Sequence, residues 1–356
     1  MELLAFVLGV LLLALVGWDL FETVVVPRPT PGWFRIGRYI VRSSWRALRA
    51  LRDGNPERSY DRVLGLFAPA ATVALLVAWL TALILAYGLI MYALRDELRP
   101  IPTDLGTTVY FAATSLLTIG FGDITAVELP ARVIIVTAAV FGLGAVALVV
   151  TFLFSLYGSY QRREVQVVAL QAAAGAPPSA VALLETYAQL GLVDRLPGLF
   201  VEWQRWAVEV LDSHVAYPLL GFFRSSHDNL SWISGLGTVL DAASLVLTIV
   251  EGVPRGEAKL FKRVGAHLVE DIYNLGFRAG EPTGLNRADF EAACSRLRAA
   301  GYTLATTDDA WPHFEAARAT YAQRLEAMAT YWATPAASWL GDPVALRAPL
   351  HRVDDP

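Results

Sequence analysis

Val63 to Leu94 is a run of 32 residues without a single Asp, Glu, Lys or Arg, and Val133 to Tyr160 is a second such run of 28. A charge at mid-bilayer is costly and about 20 apolar residues span the hydrocarbon layer, so both runs are expected to cross a membrane. Leu3 to Trp18 is a third charge-free run, continuing past Asp19 and Glu22 to Pro27. No positive residue precedes it, Glu2 is acidic and no small-residue cleavage pattern follows, so a retained span is expected rather than a secretory signal. Composition agrees: 55% of residues are hydrophobic and only 17% charged. The net charge is -4, and Lys259 and Lys262 are the only lysines, which argues against a nucleic-acid partner. With Cys294 as the sole cysteine, an internal disulfide or a cysteine-based metal cluster is excluded.

Arginine sets the expected orientation. Residues 27–62 hold nine arginines against three acids, whereas residues 95–129 hold two arginines against five acids. The basic side is cytoplasmic by the positive-inside rule, which puts the N-terminus outside and the C-terminal half, 161–356, in the cytoplasm. Between the second and third spans lies an 18-residue uncharged stretch, Leu105 to Gly122, whose second half is too rich in glycine and β-branched residues to span as a helix. Pro102 with Thr103 or Asp104 supplies a helix start, so a short helix over 103–117 is expected to dive in and a glycine-bearing strand, 118–123, to climb out. Irregular backbone at membrane depth is tolerated only where protein buries it or it lines a watery cavity, so this loop is expected to lie inside an assembly around a pore.

The strand reads Thr118-Ile119-Gly120-Phe121-Gly122-Asp123. It resembles the filter signature of potassium channels, a conservative variant of the Thr-Val-Gly-Tyr-Gly template, and the chain is identified over roughly 63–160 as similar to bacterial potassium channels with one pore loop per subunit. The resemblance implies four copies around one axis and K+ as the permeant ion. It implies coordination by the backbone carbonyls of Thr118, Ile119, Gly120 and Phe121, with the Thr118 hydroxyl as the innermost ring. Gly122 and Asp123 would close the outer mouth, and Tyr110 and Phe111 would pack behind the filter. Gly142 lies 22 residues beyond Gly120, about where similar channels carry a hinge glycine, and Gly144 is a second candidate; close helix packing explains either equally well. One departure is Leu117-Thr118, where potassium channels usually show two adjacent threonines.

Arg35, Arg38, Arg42, Arg46, Arg49 and Arg52 recur every three or four residues and so share a helical face. An interfacial helix within the 28–62 linker is expected, anchored by anionic lipid headgroups, in preference to a voltage sensor. Asp19 and Glu22 near the inner end of the first span (1–27) call for a partner, for which Arg28 or the arginine face is the candidate.

Residues 161–356 read as an all-α domain, with helices at about 163–173, 179–191, 197–216, 229–251, 257–279, 286–300 and 307–333. Gly235-Leu236-Gly237 lacks the third glycine of a dinucleotide fingerprint and lies in a helical run. Leu230 to Val250 is apolar, but Asp241 at its middle favours a buried core helix over a span. His214, His227, His267, His313 and His351 form no i, i+4 histidine pair and read as surface or core residues rather than metal ligands. No nucleophile motif, phosphate loop or acid pair suggests an enzyme, and no organic cofactor is expected. The expected fold is therefore an all-α membrane protein: a pore domain over 63–160 (spans 63–94 and 132–160), an extra N-terminal span and a cytoplasmic helical domain. The expected function is a potassium-selective channel, the alternatives being a non-selective or sodium-permeable channel, or a non-conducting sensor or scaffold.

Overall fold

The computed structural model describes residues 1–26, 36–53, 59–227, 229–274, 277, 285–342 and 344. The chain divides into two compact units, Met1–Tyr157 and Gly158–Pro356. Among the described residues three helices are long and apolar enough to cross a membrane.

In the first unit α1 (Glu2–Val24) runs antiparallel to α3 (Ser59–Ala93). The contacts fix that direction, because the partner number falls as the α1 number rises. Glu2 pairs with Arg95 at 2.9 Å just past the end of α3, Gly9 lies against Ala86 and Ile90, and Asp19 accepts a 2.7 Å hydrogen bond from the Trp79 indole. A methyl group on Gly9 would sit 2.7 Å from Ile90 Cγ1, so the glycine is what lets two apolar helices approach where no hydrophobic gradient drives them together. Val16, Leu20, Leu75 and Leu83 fill the seam. The arginine-rich segment forms α2 (Ile36–Asp53), which seats Gly37 against Leu75 and packs the buried Trp45 against Phe67 with the rings tilted and their centroids 4.8 Å apart.

The short helix expected over 103–117 is α4 (Leu105–Leu116), and the third long apolar helix is α5 (Leu129–Ala174). A two-residue ribbon, β1 (Leu98–Arg99) with β2 (Thr125–Ala126), pairs antiparallel and brackets the loop. Glu97 reinforces this bracket: its carbonyl accepts from the Val127 amide and its carboxylate from the Ala131 amide in the first turn of α5, both at 2.9 Å.

α5 is a single helix of 46 residues. At about 1.5 Å per residue it is about 69 Å long, more than twice the hydrocarbon thickness, so much of it lies beyond the bilayer. A separate helix at 163–173 is not formed, because Gln161-Arg162-Arg163-Glu164 marks a polarity boundary but contains no helix breaker.

In the second unit α8 (Trp232–Thr248) is the core, with every residue from Trp232 to Val246 buried. Around it lie α6 (Ala180–Gln189), α7 (Leu196–Ala216), α9 (Gly256–Asn274), α11 (Thr307–Ala319) and α12 (Ala322–Trp332), while α10 (Arg287–Ala299) packs on α6 and α11. Ser231 and Ser234 cap α8 reciprocally. Its Asp241 is accommodated by Tyr321, which donates at 2.6 Å, and by Arg318 Nε at 3.1 Å. The helix expected over 307–333 is two helices that break at Thr320-Tyr321, where Tyr321 turns inward to reach Asp241. Gly235 and Gly237 lie inside α8, against Trp203 and Leu325, as packing positions.

Candidate ion-conducting site

Asp104 starts α4, its carboxylate accepting from the Thr107 amide at 2.9 Å and from the Thr107 hydroxyl at 2.8 Å. Those bonds hold its carboxyl below the usual carboxylate range. At 12 residues α4 is about 18 Å long, enough to enter a bilayer but not to cross it. Two glycines wedge it in place. Gly88 of α3 faces Val109, whose Cα would lie 2.9 Å from an added methyl group, and Gly142 of α5 abuts the Leu116 carbonyl so closely that a methyl group has no room. By contrast, nothing lies within 4 Å of a methyl group placed on Gly144.

A helix leaves its last four carbonyls without partners. Here the segment that follows, irregular backbone rather than the strand expected over 118–123, supplies donors. The Leu117 amide bonds to the Ala113 carbonyl (2.9 Å), Thr118 to Ser115 (3.0 Å), and both Ile119 and Gly120 to Thr114 (2.7 and 3.1 Å). The amides of Thr118, Ile119 and Gly120 are thereby spent on the helix end. The segment's own carbonyls, from Thr118 to Phe121, accept no hydrogen bond among the described residues.

Backbone handedness alternates along the same segment. Thr118, Gly120 and Gly122 have φ of +56°, +58° and +80°, and Ile119 and Phe121 between them do not share that sign. In an ordinary strand successive carbonyls point to opposite sides; alternating handedness allows them to face the same side. Glycine takes this conformation without penalty, whereas a threonine in it is strained by its branched Cβ.

Tyr110 fastens the far end. Its hydroxyl donates to Asp123 at 2.9 Å, and its ring lies parallel to that of Phe121 with 6.5 Å between centroids. Phe111, one residue on and so about 100° around the helix, is buried instead with Ile90, Met91, Leu98, Ile124 and Ala131. Ile119 and Phe121 are 52% and 68% exposed, and Val136, Val140 and Leu143 of α5 are exposed too, so a single copy leaves the polar strand and its apolar flanks uncovered.

Of the arginine face, Arg35 lies outside the described residues and the Arg38 side chain is likewise not described. Arg42 and Arg49 are half-buried and Arg46 is exposed on α2. Arg28, the candidate partner of Asp19, also lies outside the described residues; among the described residues the Trp79 indole donates to Asp19. Sequence reasoning did not single out Glu97, Gly88 or Trp79. A glycine, Gly88, deep in the apolar 63–94 run and an acid just before the loop were the available signals.

Residues 79–158 match a family model described as "Ion channel". Over 93 residues the chain is 29% identical to the delayed-rectifier potassium channel regulatory subunit KCNS3 of Rattus norvegicus, an overlap that covers 26% of this chain and 19% of that protein. This chain thus spans about a fifth of the length of the curated relative it matches. No solved structure gives a significant match. The matched segment and the three apolar helices support a membrane ion channel, with ions as what passes and several copies as what encloses the path.

Proposed function

We propose that the chain is a subunit of a homotetrameric, potassium-selective channel. Four copies of the strand 118–123 would line one axis, and the carbonyls of Thr118, Ile119, Gly120 and Phe121, with the Thr118 hydroxyl, would replace the water shell of a dehydrated K+. The observation that carries this reading is the alternation of handedness at Thr118, Gly120 and Gly122 in a segment whose first three amides are tied back to α4 and whose carbonyls from Thr118 to Phe121 accept no hydrogen bond among the described residues. Gly122, Asp123 and Tyr110 would hold the outer mouth and Phe111 its flank, and α5 would open the path by bending or shifting near Gly142 and Gly144. Domains follow the sequence reading: a span over 1–27, an arginine-rich linker over 28–62 whose Arg35, Arg38, Arg42, Arg46 and Arg49 meet anionic headgroups, a pore domain over 63–160, and a modulating helical domain over 161–356. The N-terminus would lie outside and the helical domain in the cytoplasm, on the side of the excess arginine.

Reconstitution of the purified chain into vesicles under a potassium gradient tests the reading. A reversal potential near that of potassium, abolished by Gly120→Ala, is expected; one near that of sodium would overturn selectivity. A second reading takes support from the printed name of the relative, a regulatory subunit: this chain would then sit in a complex without conducting alone. Zero flux from the homomer, with a cellular phenotype that survives Gly120→Ala but not deletion of 161–356, would favour it.

A further inference from the structure

Arg163 of α5 is 2% exposed, and all five of its N–H donors are used. Nε and Nη2 donate to Glu164 Oε1 (3.1 and 2.9 Å), Nη2 also to the Phe223 carbonyl (2.7 Å), and Nη1 to the Leu220 carbonyl (2.9 Å). The remaining Nη1 proton faces Nε2 of His214, on α7, at 3.1 Å. A guanidinium has no acceptor and does not deprotonate in proteins, so His214 Nε2 must offer its lone pair. Its ring proton is thereby assigned to Nδ1, which donates to the Val210 carbonyl at 2.9 Å. His214 is thus held in one neutral tautomer by partners on both sides.

We propose that the Arg163–His214 contact is a proton-operated clasp that lets go when the compartment bathing the helical unit acidifies, and that its release alters pore opening; the second half rests on the channel reading above. A proton added at Nε2 would point at the guanidinium N–H, ending the hydrogen bond and setting a second cation beside a buried first one. Among the described contacts neither ring nitrogen of the imidazole meets a carboxylate that could receive that cation. From α5 come Arg163, Glu164, whose Oε1 serves Arg163 and whose buried Oε2 accepts no hydrogen bond among the described residues, and Tyr160, whose ring lies 5.4 Å from the guanidinium. From α7 come the Ser213 hydroxyl, 3.2 Å from Nδ1, and Glu209, which with Arg162 lines a shallow recess beside Arg163. The turn Pro218–Phe222 and Phe223 contribute carbonyls that Arg163 occupies, and Arg224 follows on that segment. From α8 comes the Trp232 ring, 5.0 Å from the imidazole. Burial, and next the Arg163 charge, hold the His214 pKa well below the usual imidazole range. With the folded pKa depressed, the clasp is intact above the ordinary imidazole pKa and is progressively weakened as pH falls below it. Arg163 lies on the same unbroken helix as Gly142, so what holds Arg163 holds a residue of the helix that would line the pore.

Hydrogen–deuterium exchange on the full-length protein, corrected for intrinsic pH dependence, tests the clasp. Between about pH 7.5 and about pH 5.5, peptides covering 158–170 and 214–224 should lose protection by about tenfold relative to the rest of the wild-type chain. His214→Gln, which keeps an acceptor, and His214→Phe, which keeps the ring against Trp232, should both remove that pH response. An unchanged wild type, or the same response in both variants, overturns the clasp. Potassium efflux from vesicles acidified on one side tests the coupling. Flux should change severalfold with pH in the wild type and stay flat in the variants. Flux that ignores pH while exchange responds overturns the coupling alone; no flux at any pH sinks the channel reading and leaves the clasp supported by exchange.

Discussion

The Tyr110 hydroxyl donates a 2.9 Å hydrogen bond to Asp123, tying the second turn of α4 to the far end of the strand that follows it. The same ring stacks on Phe121, so Tyr110 restrains the strand twice, once by a directional bond and once by a flat contact. Tyr110→Phe separates the two. The stack survives, the bond does not, and Asp123 is freed to turn towards solvent. On the channel reading proposed above, macroscopic currents should retain their selectivity but decay severalfold faster during sustained activation, and the assembled protein should become more dependent on bound potassium for thermal stability. Wild-type decay in Tyr110→Phe would show that the bond carries no restraint.

Gly142 and Gly144 are separated by two positions and by opposite surroundings. A methyl group on Gly142 meets the Leu116 carbonyl, backbone that cannot swing aside, while one on Gly144 meets nothing within 4 Å in the single chain. Gly142→Ala should therefore cost about 1–3 kcal/mol, as overpacking does, and lower the thermal midpoint of the detergent-solubilised protein. Gly144→Ala should leave the isolated subunit's stability unchanged. Equal destabilisation by both would place the tight contact elsewhere.

The three apolar spans were legible because a bilayer demands long charge-free runs and little else meets that demand. The alternating backbone of 118–122 was legible because Gly120 and Gly122 alternate with bulky residues, a pattern tied to backbone handedness rather than to tertiary context. What sequence could not give were contacts set by the relative rotation of helices. Trp79 as the partner of Asp19 and Glu97 as the cap of α5 join positions 60 and 34 residues apart, and nothing local encodes them. Tyr110 and Phe111 were expected to act together, yet adjacent positions on a helix face different neighbours, and only Tyr110 reaches Phe121 and Asp123. The break at Thr320-Tyr321 was equally hidden, since no glycine or proline marks it.

Asp241 is buried at the centre of the second unit and depends on Arg318 and Tyr321 for company. Removing one member of such a group is far worse than never having it, because the remaining charge is left uncompensated. Arg318→Met should destabilise the unit by roughly 2–3 kcal/mol, at the low end for buried pairs because Arg318 keeps some contact with water. Tyr321→Phe should cost about 1–3 kcal/mol through the lost bond to Asp241. Chemical denaturation followed by tryptophan fluorescence reads both. A loss below about 0.5 kcal/mol for Arg318→Met would mean that Asp241 does not need the pair.

Trp79 donates to Asp19 between two membrane helices, where water is not available to replace a lost partner. Trp79→Phe keeps most of the apolar surface and removes the donor, so about 1–3 kcal/mol should be lost from the α1–α3 pairing. Asp19→Asn keeps an acceptor for the indole and should cost less. Protease accessibility of the first span in lipid vesicles would rank the two variants, and the reverse order would mean that the charge of Asp19 matters more than its acceptor.

Cys294 lies fully buried on α10, and burial pushes its thiol up to about 11. The reactive form is the thiolate, so at pH 8 only about one molecule in a thousand would be reactive even if the reagent could reach it. Native protein treated with iodoacetamide at that pH should remain unmodified by intact-mass measurement, while protein unfolded in denaturant should gain one adduct per chain. Raising the pH towards 10 should speed any native reaction by about tenfold per unit, since the raised pKa keeps the thiol protonated across that range. Rapid native labelling at pH 8 would mean that α10 lifts off the core on the timescale of the reaction, and that the second unit is less tightly closed than the burial of Phe290, Cys294 and Leu297 implies.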